Sequence, residues 1–417
     1  MGPAIEPRDL PHHLSLPVVA AWLLVVAFGG VAHSADGDLD ATFGADGKVT
    51  TSFTTAGGAN AVAVQSDGKI VAAGWVGGGF GLARYNADGA LDTTFGPGGT
   101  VTTAISQDGG DEVRGLALQP DGKIVAAGTA GRLSFALARY NSDGTLDATF
   151  GTGGIVTTDL TSGFDIANGV VIQANGKIVA GGSAGTSHPA FALARYEPDG
   201  TPDTSFGEGG TVTTGFGIWG VARAIVLQPD RKIVAAGTNG GGFALARYDP
   251  DGSLDTSFGN GGKVATTLTV AGSAWAVALQ LDGKIVAAGA YDFYRFAVAR
   301  FGVHGRLDRT FGGDGLVTTD VGRGSEQKVN GLVIQPNGKI VAVGDEGPHE
   351  FGEPLSRIVL TRYRANGVLD PRFDGDGKVI TRFKDGAFAA GVARQDGGRI
   401  VVAGRAGESF ALARYLV

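Results

Sequence analysis

The sequence predicts an all-β fold, a seven-bladed β-propeller with four antiparallel strands in each blade, over residues 36–417. A nine-residue segment at 66–74, SDGKIVAAG, returns in edited form six more times, at intervals of 52 to 60 residues. A fixed period of this length indicates a repeat architecture. Between the copies stand short apolar segments bounded by Gly, Asp, Asn and Pro, which is typical of strands. The 73 glycines recur at fixed places in the copies, which indicates turns rather than disorder.

One repeat shows how a blade is made. Residues 100–103, 115–119, 123–127 and 135–140 are predicted strands, and the turn Pro120-Asp121-Gly122 makes the second and third antiparallel. Because these strands are apolar on both faces, each sheet should pack between two similar sheets. Blades arranged radially satisfy this, and seven copies fall within the usual range of about 4 to 8 blades. An open β-solenoid is the alternative, but its ends need capping segments that the sequence does not show.

The two ends of the repeat region are complementary. Residues 39–51 read as the second half of a repeat, and residues 410–415 read as a fourth strand. We therefore expect a ring closed non-covalently between the N-terminal and C-terminal segments. Whether residues 48–51 complete the last blade or open the first stays open at this point.

Residues 1–35 lie outside the repeat and read as a signal peptide. Arg8 precedes an apolar run at 14–28, and the small residues Ala32 and Ser34 follow it, so cleavage is expected between about 32 and 35. The alternative is an uncleaved anchor, although the run is shorter than the roughly 20 apolar residues of a spanning helix. The expected location is secreted, periplasmic or cell-surface, with no membrane attachment after cleavage.

Composition excludes some classes of function. The formal net charge is −7 and basic residues are scattered singly, so there is no footprint for nucleic acid. The chain has no cysteine, which excludes disulfides and thiolate metal sites.

Three motifs carry a family resemblance: Leu-Asp-x-Thr/Ser-Phe-Gly, Asp-Gly-Lys-Ile-Val-Ala-Ala-Gly and Phe-Ala-Leu-Ala-Arg-Tyr. As a set they resemble the delta-60 repeat family of bacterial β-propellers, over roughly residues 36–417. The resemblance implies an exported bacterial protein and brings no established activity and no catalytic residues. The last copies depart from it, since residues 358–363 lack the phenylalanine and residues 369–374 lack the glycine.

Charged residues recur with the repeat, and we interpret them as structural. Every fourth strand has an arginine and every long turn an aspartate, so pairs such as Arg84 with Asp92 should tie strand to turn. A glutamine that ends each second strand is expected to satisfy backbone groups at the blade edge. The arginines are Arg84, Arg139, Arg195, Arg247, Arg300, Arg362 and Arg414, and the aspartates are Asp40, Asp92, Asp147, Asp203, Asp255, Asp308 and Asp370.

No catalytic or metal-binding residue is predicted. His188, His304 and His349 have no neighbour at ligand spacing, and there is no nucleophile elbow or phosphate loop. The Asp-Gly turns partly match calcium loops, so calcium is possible, but a turn without metal is the favoured interpretation. No other cofactor is expected.

Strand direction separates two rims. The Asp-Gly hairpins and the Leu-Asp-x-x-Phe-Gly turns should lie on one rim, here called the repeat rim, and the loops that differ between copies on the opposite rim, here called the variable rim. Ligands of propellers are held by loops on a rigid scaffold, so the variable rim is the candidate face. Aromatic residues and the longest loop, 345–357, supply the candidate ligand-binding residues: Trp75, Trp219, Trp275, Tyr291, Phe293, Tyr294, His349 and Glu350.

The function that these observations favour is a binding or scaffold propeller that recognises a protein or glycan through the variable rim. The alternative is an exported hydrolase or lyase with paired carboxylates along the central channel. A structural component of a matrix or envelope is a third possibility.

Overall fold

Seven four-stranded antiparallel sheets follow one another along the chain, in a computed structural model that confirms the all-β, seven-bladed propeller. The structure describes residues 1–2, 35–217, 219–266, 272–292, 294–322, 326–347 and 356–417. The compact unit is Ala35–Val417. Almost all of the predicted signal peptide, residues 3–34, lies outside the described residues.

The strands of the first four blades, from the innermost to the outermost, are as follows. Blade 1 has β2 (Gly57–Val64), β3 (Ile70–Val76), β4 (Gly79–Tyr85) and β5 (Thr100–Thr103). Blade 2 has β6 (Glu112–Leu118), β7 (Ile124–Ala130), β8 (Ser134–Tyr140) and β9 (Ile155–Thr158). Blade 3 has β10 (Asp165–Ile172), β11 (Ile178–Ala184), β12 (Ala190–Tyr196) and β13 (Thr211–Thr214). Blade 4 has β14 (Val221–Leu227), β15 (Ile233–Thr238), β16 (Phe243–Tyr248) and β17 (Lys263–Ala265).

The remaining blades follow the same order. Blade 5 has β18 (Gly272–Leu279), β19 (Ile285–Tyr291), β20 (Arg295–Phe301) and β21 (Leu316–Thr319). Blade 6 has β22 (Gln327–Ile334), β23 (Ile340–Glu346), β24 (Arg357–Tyr363) and β25 (Lys378–Thr381). Blade 7 has β26 (Phe388–Arg394), β27 (Ile400–Ala406), β28 (Ser409–Tyr415) and β1 (Lys48–Thr51).

Each sheet is offset by one strand from the repeat that the sequence analysis defined. Strand β5, expected to open the second blade, is instead the outermost strand of blade 1. The same offset decides how the ring closes: β1 pairs with β28 in antiparallel register, from Lys48 opposite Ala413 to Thr51 opposite Phe410. The N-terminal strand therefore completes the last blade, and the closure consists of backbone hydrogen bonds.

The first strand of each blade surrounds the central axis. Strands β2, β6, β10, β14, β18, β22 and β26 contact one another in sequence, and β26 contacts β2 again. The hydrophobic core lies between neighbouring blades. Seven buried clusters are present, one for each interface, such as Ile70 and Ala72 of blade 1 against Val401 and Leu412 of blade 7. This explains why the strands are apolar on both faces.

The predicted arginine–aspartate pairs form in all seven copies. Arg84 Nε lies 2.7 Å from Asp92 Oδ2, and the other six pairs lie at 2.5–3.0 Å. The sequence analysis missed a third partner, the lysine of the Asp-Gly-Lys motif: Lys69 Nζ lies 2.9 Å from the same carboxylate oxygen. In the last copy Arg399 replaces that lysine and contacts Asp40 at 2.7 Å. We call each such cluster a strut.

Each strut also joins its blade to the next one. The Arg84 guanidinium donates to the carbonyl oxygen of Ser142, in the β8–β9 turn of blade 2, and stacks 4.6 Å from the Phe95 ring. In blade 7, Arg414 donates to the Ala87 carbonyl of blade 1, which closes the circle. Blade 6 meets the N-terminal segment instead, where Arg362 pairs with Asp36 at 2.8 Å.

The struts lie on the repeat rim, as predicted. Hairpin Lys69 reaches the long-turn Asp92. Gln395 donates to the Gly68 carbonyl of the next hairpin, which is the role expected for the recurring glutamine, but in the other six copies the glutamine Oε1 is buried without a hydrogen-bond partner among the described residues. On the opposite rim, the β5–β6 loop residue Asp111 bonds to both Gly78 and Gly131, in the β3–β4 and β7–β8 turns. The two loop families therefore occupy opposite rims.

Deletion of residues 36–52 removes β1 and the Asp36 contact. We expect the whole ring to lose stability in one cooperative transition, because blade 7 then exposes the β28 edge and the interface with blade 1 is unsupported. Thermal melting followed by circular dichroism, against a matched chain that starts at residue 35, measures this. A synthetic peptide of residues 36–52 should restore the transition. An unchanged melting temperature would contradict the closure described above.

The struts make stability depend on pH. Burial of Asp203 opposes its ionisation, but hydrogen bonds from Lys177 and Ser205 and the Arg195 guanidinium outweigh this and lower its pKa. Because the lowered pKa belongs to the folded state, the stabilisation is present above the unfolded pKa of about 3.9 and is lost as pH falls.

Asp203→Asn should therefore lower the free energy of unfolding at pH 7 by about 3 kcal/mol, the order expected when one member of a buried ion pair is removed. Urea titrations at pH 7 and pH 3.5 measure it, and the difference from the wild type should shrink at the lower pH. Exposed Asp108→Asn is the matched control and should change little. Equal losses at both pH values would show that the carboxylate charge is not what matters.

Candidate binding site in the central channel

Each innermost strand contains one extra residue, a β-bulge. In blade 4, for example, Ala222 pairs with Gly237 and Ala224 with Ala236, so Arg223 between them has no partner in the ladder. A bulge redirects the side chain of its extra residue. We call the seven extra residues the bulge ring; they are Asn60, Arg114, Asn168, Arg223, Trp275, Asn330 and Ala390.

The last glycine of the Asp-Gly-Lys-Ile-Val-Ala-Ala-Gly motif makes the bulge possible. A Cβ added at Gly237 would lie only 1.9 Å from the carbonyl oxygen of Val221, two residues before Arg223. No side chain can occupy that space, since real Cβ atoms do not approach other atoms so closely. The equivalent glycines, each with a Cβ position 1.8–1.9 Å from a carbonyl oxygen of the innermost strand, are Gly74, Gly128, Gly182, Gly289, Gly344 and Gly404.

All seven bulge residues line one cavity of about 410 Å³ on the propeller axis. Apolar side chains two residues further along the strands, such as Val62, Leu116 and Val392, line it as well. The bulge ring holds three asparagines, two arginines, a tryptophan and an alanine, so the sevenfold pattern breaks down here. A site with chemistry of its own needs such a break, because a residue repeated in every blade is explained by the scaffold.

The three asparagines of the bulge ring have a structural role. Each donates its side-chain Nδ2 to a carbonyl of the next blade: Asn60 to Val113 at 2.8 Å, Asn168 to Ala222 at 2.7 Å, and Asn330 to Ala389 at 2.7 Å. These bonds join neighbouring innermost strands. They leave the arginines and the tryptophan as the bulge-ring residues open to a ligand.

Arg114 already has an acidic partner. Its Nη2 donates to Glu112 Oε2 at 2.9 Å, and the other Glu112 oxygen accepts from Asn60 at 2.7 Å. The charges of Arg114 and Glu112 therefore balance each other, while the buried Arg114 Nε has no hydrogen-bond partner among the described residues.

Arg223 differs from Arg114. Its guanidinium stacks on Trp275 with 4.0 Å between the guanidinium carbon and the ring centroid, and Lys328 Nζ lies 5.3 Å from the same centroid. Burial, and secondly the charge of Arg114, lower the pKa of Arg223 to about 10, so it stays protonated at neutral pH. Among the described residues, Arg223 and Lys328 have no ion pair and no side-chain hydrogen bond, and Arg223 Nε is buried.

Asp345, on β23, is the second carboxylate of the channel. It lies opposite Lys328 in the sheet register and accepts a hydrogen bond from Asn330 at 2.5 Å. Burial raises the pKa of Asp345 to about 6, against the attraction of Lys328 and the Asn330 hydrogen bond; the negative charge of Glu326 also raises it.

A second cavity, of about 330 Å³, opens beside the channel between blades 4, 5 and 6. Arg223, Trp275 and Lys328 line both cavities, and Ser273 and Glu326 line the second one. We call it the side cavity. It lies at the ends of the strands that face the variable rim, where Thr238, Gly272 and Ala290 also contact it.

One of the predicted site residues lines the side cavity, and three others lie next to residues of its wall. Trp275 lines it, although it lies on innermost strand β18 and not on a loop as predicted, because the bulge turns it into the channel. Trp219, 46% exposed, lies against Gly240 of the cavity wall. Tyr291 pairs with the wall residue Gly272, and Tyr294, 58% exposed, bridges to Gln327 of the wall.

The other predicted residues are not brought to this place. Trp75 lies on β3 of blade 1, opposite Phe80 in the ladder, and covers Gly58 beside Arg405. Phe293, His349 and Glu350 lie outside the described residues.

Sequence reasoning missed Arg114, Arg223 and Lys328 as channel residues. A signal was available for the two arginines, because every bulge residue stands fourteen positions before the last glycine of the motif, as Arg223 does before Gly237. It is a position on an otherwise regular apolar strand at which the copies disagree. Strand periodicity does not reveal the bulge, so the variation at the bulge position does not by itself indicate that these side chains enter the channel.

The aspartates of the Asp-Gly turns bond to their own turns. Asp143 Oδ1 accepts from the backbone N–H of Thr145 at 2.9 Å and from its hydroxyl at 2.6 Å. In the part of the chain that the structure describes, no three His, Asp or Glu side chains are grouped so that they could hold a metal ion. No helix among these residues is long and apolar enough to span a membrane.

Six segments of the chain match a family model described as "Domain of unknown function (DUF5122) beta-propeller". The matched segments are residues 65–95, 119–150, 173–206, 228–258, 280–311 and 335–373. The chain contains repeats of a β-propeller repeat family. Each matched segment of these propeller repeats runs from the glutamine before the hairpin to the end of the long turn or close to it, and so contains one strut. No curated protein matches the chain in sequence.

Solved propellers with low sequence identity share the fold. A catalytically inactive virginiamycin B lyase from Staphylococcus aureus, with quinupristin, has a TM-score of 0.53 at 13% identity, covering 89% of this chain and 99% of that one. The WD40 propeller domain of Doa1 has a TM-score of 0.51 at 13% identity, with 87% and 94% covered. YCF48 bound to D1 peptide has a TM-score of 0.50 at 13% identity, with 92% and 98% covered.

The raised pKa of Asp345 predicts a dependence on pH opposite to that of the struts. The folded state holds this proton more tightly than the unfolded state, so stability falls as pH rises from about 3.8 to about 6. Asp345→Asn removes this loss and should raise the free energy of unfolding above pH 6 by up to about 3 kcal/mol. Urea titrations between pH 4 and pH 8 test it, with Asp203→Asn as the variant of opposite sign. A variant less stable than the wild type at pH 8 would contradict the prediction.

Proposed function

We propose that the protein is a secreted or cell-surface binding propeller of the delta-60 repeat family, which recognises a protein or glycan at the variable rim between blades 4 and 6. The observation that carries this proposal is that Trp275 lines the side cavity and that Trp219, Tyr291 and Tyr294 lie next to residues of its wall. Exposed aromatic side chains beside a cavity are typical of recognition surfaces.

The contrast between the rims supports the same function. On the repeat rim, both basic residues of each strut contact its aspartate, with Arg399 in place of the lysine in the last copy, so each of these cations already has an acidic partner. At the side cavity, Arg223 has no ion pair and no side-chain hydrogen bond among the described residues, and Lys328 lies opposite the buried Asp345 without a direct ion pair. Groups that the scaffold does not use are the ones available to a ligand.

The similar solved propellers include one with quinupristin and one bound to a peptide. At this low identity the likeness shows a shared fold only. The two bound molecules illustrate that this fold can accommodate a binding role. The export part of the proposal depends on the expected signal peptide at residues 1–35 and on the family motifs.

An exported hydrolase or lyase is the second candidate, and the pKa of about 6 at Asp345 favours it, since that value suits acid–base catalysis near neutral pH. Such chemistry would pair it with the other channel carboxylate, Glu112. The two belong to blades 6 and 2, and each is bonded to its own neighbours. The binding function is therefore better supported.

Screening the mature protein against glycan arrays and extracts of cell surfaces tests the proposed function. Trp219→Ala should weaken binding at least tenfold, because this exposed ring contacts the wall of the side cavity. Trp75→Ala is the matched control, since Trp75 lies in blade 1, away from that cavity.

The two variants separate the outcomes. Equal binding by the wild type and by Trp219→Ala would remove the side cavity as the recognition site. A loss in Trp75→Ala alone would move the site to blade 1. Absence of any ligand in both screens would contradict the binding function itself.

A further inference from the structure

The Arg223 guanidinium is a charge that the fold leaves without a counterion. It carries five N–H donors, and among the described residues none of them forms a hydrogen bond, while Nε is buried. Burial of a charge without a partner is unfavourable, and proteins normally pair such groups. Stacking on Trp275 holds the guanidinium in place without neutralising it.

The groups around Arg223 add to the positive potential. Arg223 is on blade 4 and Lys328 is on blade 6, and both approach the indole ring of Trp275 on blade 5 between them. In the channel lining, Arg114, Arg223 and Lys328 face two carboxylates, Glu112 and Asp345. Glu326 lines the side cavity but forms no ion pair with Arg223 or Lys328 in the described chain, and Lys328 lies opposite Asp345. The Arg223–Trp275–Lys328 stack is thus open to one negatively charged group.

A second unsatisfied polar atom lies in the same wall. Ser273 Oγ is buried and has no hydrogen-bond partner among the described residues. Ser273 lines the side cavity together with Arg223 and Trp275. Two groups of the site therefore have room for a ligand: the Arg223 guanidinium for an anion, and the Ser273 hydroxyl for a hydrogen-bonding group. The exposed side chains of Trp219 and Tyr294 lie at the edge of the site.

We propose that the side cavity binds an acidic sugar, a uronate of a glycan, with its carboxylate on Arg223 and Lys328 and its hydroxyl groups toward Ser273. This inference deepens the proposed function and rests on it. A planar guanidinium matches a carboxylate through two parallel hydrogen bonds. A single carboxylate agrees with the small surplus of positive charge in the channel better than a doubly charged phosphate, and a cavity of about 330 Å³ suits one or two sugar rings.

The test uses trisaccharides of glucuronate, galacturonate and mannuronate, each compared with its methyl ester, which keeps the ring and removes the charge. Isothermal titration calorimetry with the mature protein should show at least one uronate binding ten times or more tightly than its ester. Arg223→Gln should abolish that preference and leave the weak binding of the ester unchanged. Lys328→Gln should reduce the preference by a smaller factor.

Arg231→Gln is the matched control, because Arg231 lies on the hairpin at the repeat rim of the same blade; it should leave both affinities as in the wild type. Melting curves establish that each variant is folded, and Trp275→Phe provides a second route if Arg223→Gln is unstable. A uronate preference that survives in Arg223→Gln, or no preference for any of the three uronates, overturns the proposal.

A hexaglutamate peptide forms a separate arm. Tighter binding of this peptide than of the uronates, lost in Arg223→Gln, would replace the sugar with an acidic protein segment as the ligand. Binding of a neutral glycan that depends on Trp219 and not on Arg223 would retain the proposed function and reject the uronate. These outcomes distinguish failure of the uronate proposal from failure of the proposed binding function.

Discussion

The contact between a glycine of the second strand and a carbonyl of the innermost strand is the constraint on which the rest of the structure depends. In every blade that glycine leaves room for a bulge, and a Cβ there would lie within 2 Å of the carbonyl oxygen. The bulge turns one side chain toward the axis. A motif that looks like plain scaffold in sequence thus determines where the channel residues lie, and Arg223 and Trp275 reach the channel for this reason.

The two rims of the propeller use charge differently. On the repeat rim an aspartate such as Asp92 is held between an arginine and a lysine, and the arginine extends to the next blade. The struts therefore join neighbouring blades around the ring, including blade 7 to blade 1. In the channel, by contrast, Arg114 forms an ion pair with Glu112, whereas Arg223 stacks on Trp275 and has no ion pair among the described residues. That asymmetry, in a molecule otherwise close to sevenfold, marks the place where function is to be sought.

Much of the fold could be predicted from the sequence, because period, turn chemistry and apolar strands are local properties. The seven blades, the two rims and the pairing of Arg84 with Asp92 are examples that the structure confirms. The offset of β1 and β5 could not be predicted, because the same strand order fits two ways of dividing the chain into sheets. The site could be predicted in part: Trp219 and Trp275 are aromatic residues at or beside loops of the variable rim, whereas Arg223 requires the bulge, a tertiary feature that strand alternation does not reveal.

The most direct test of the Arg223 site is an electron-density map of residues 35–417 crystallised and soaked with a uronate trisaccharide. We expect a carboxylate within hydrogen-bonding distance of the Arg223 guanidinium, with Trp275 stacked behind it and a sugar hydroxyl near Ser273. A side-chain carboxylate of the protein itself bonded to Arg223, with the sugar absent or elsewhere, would contradict it.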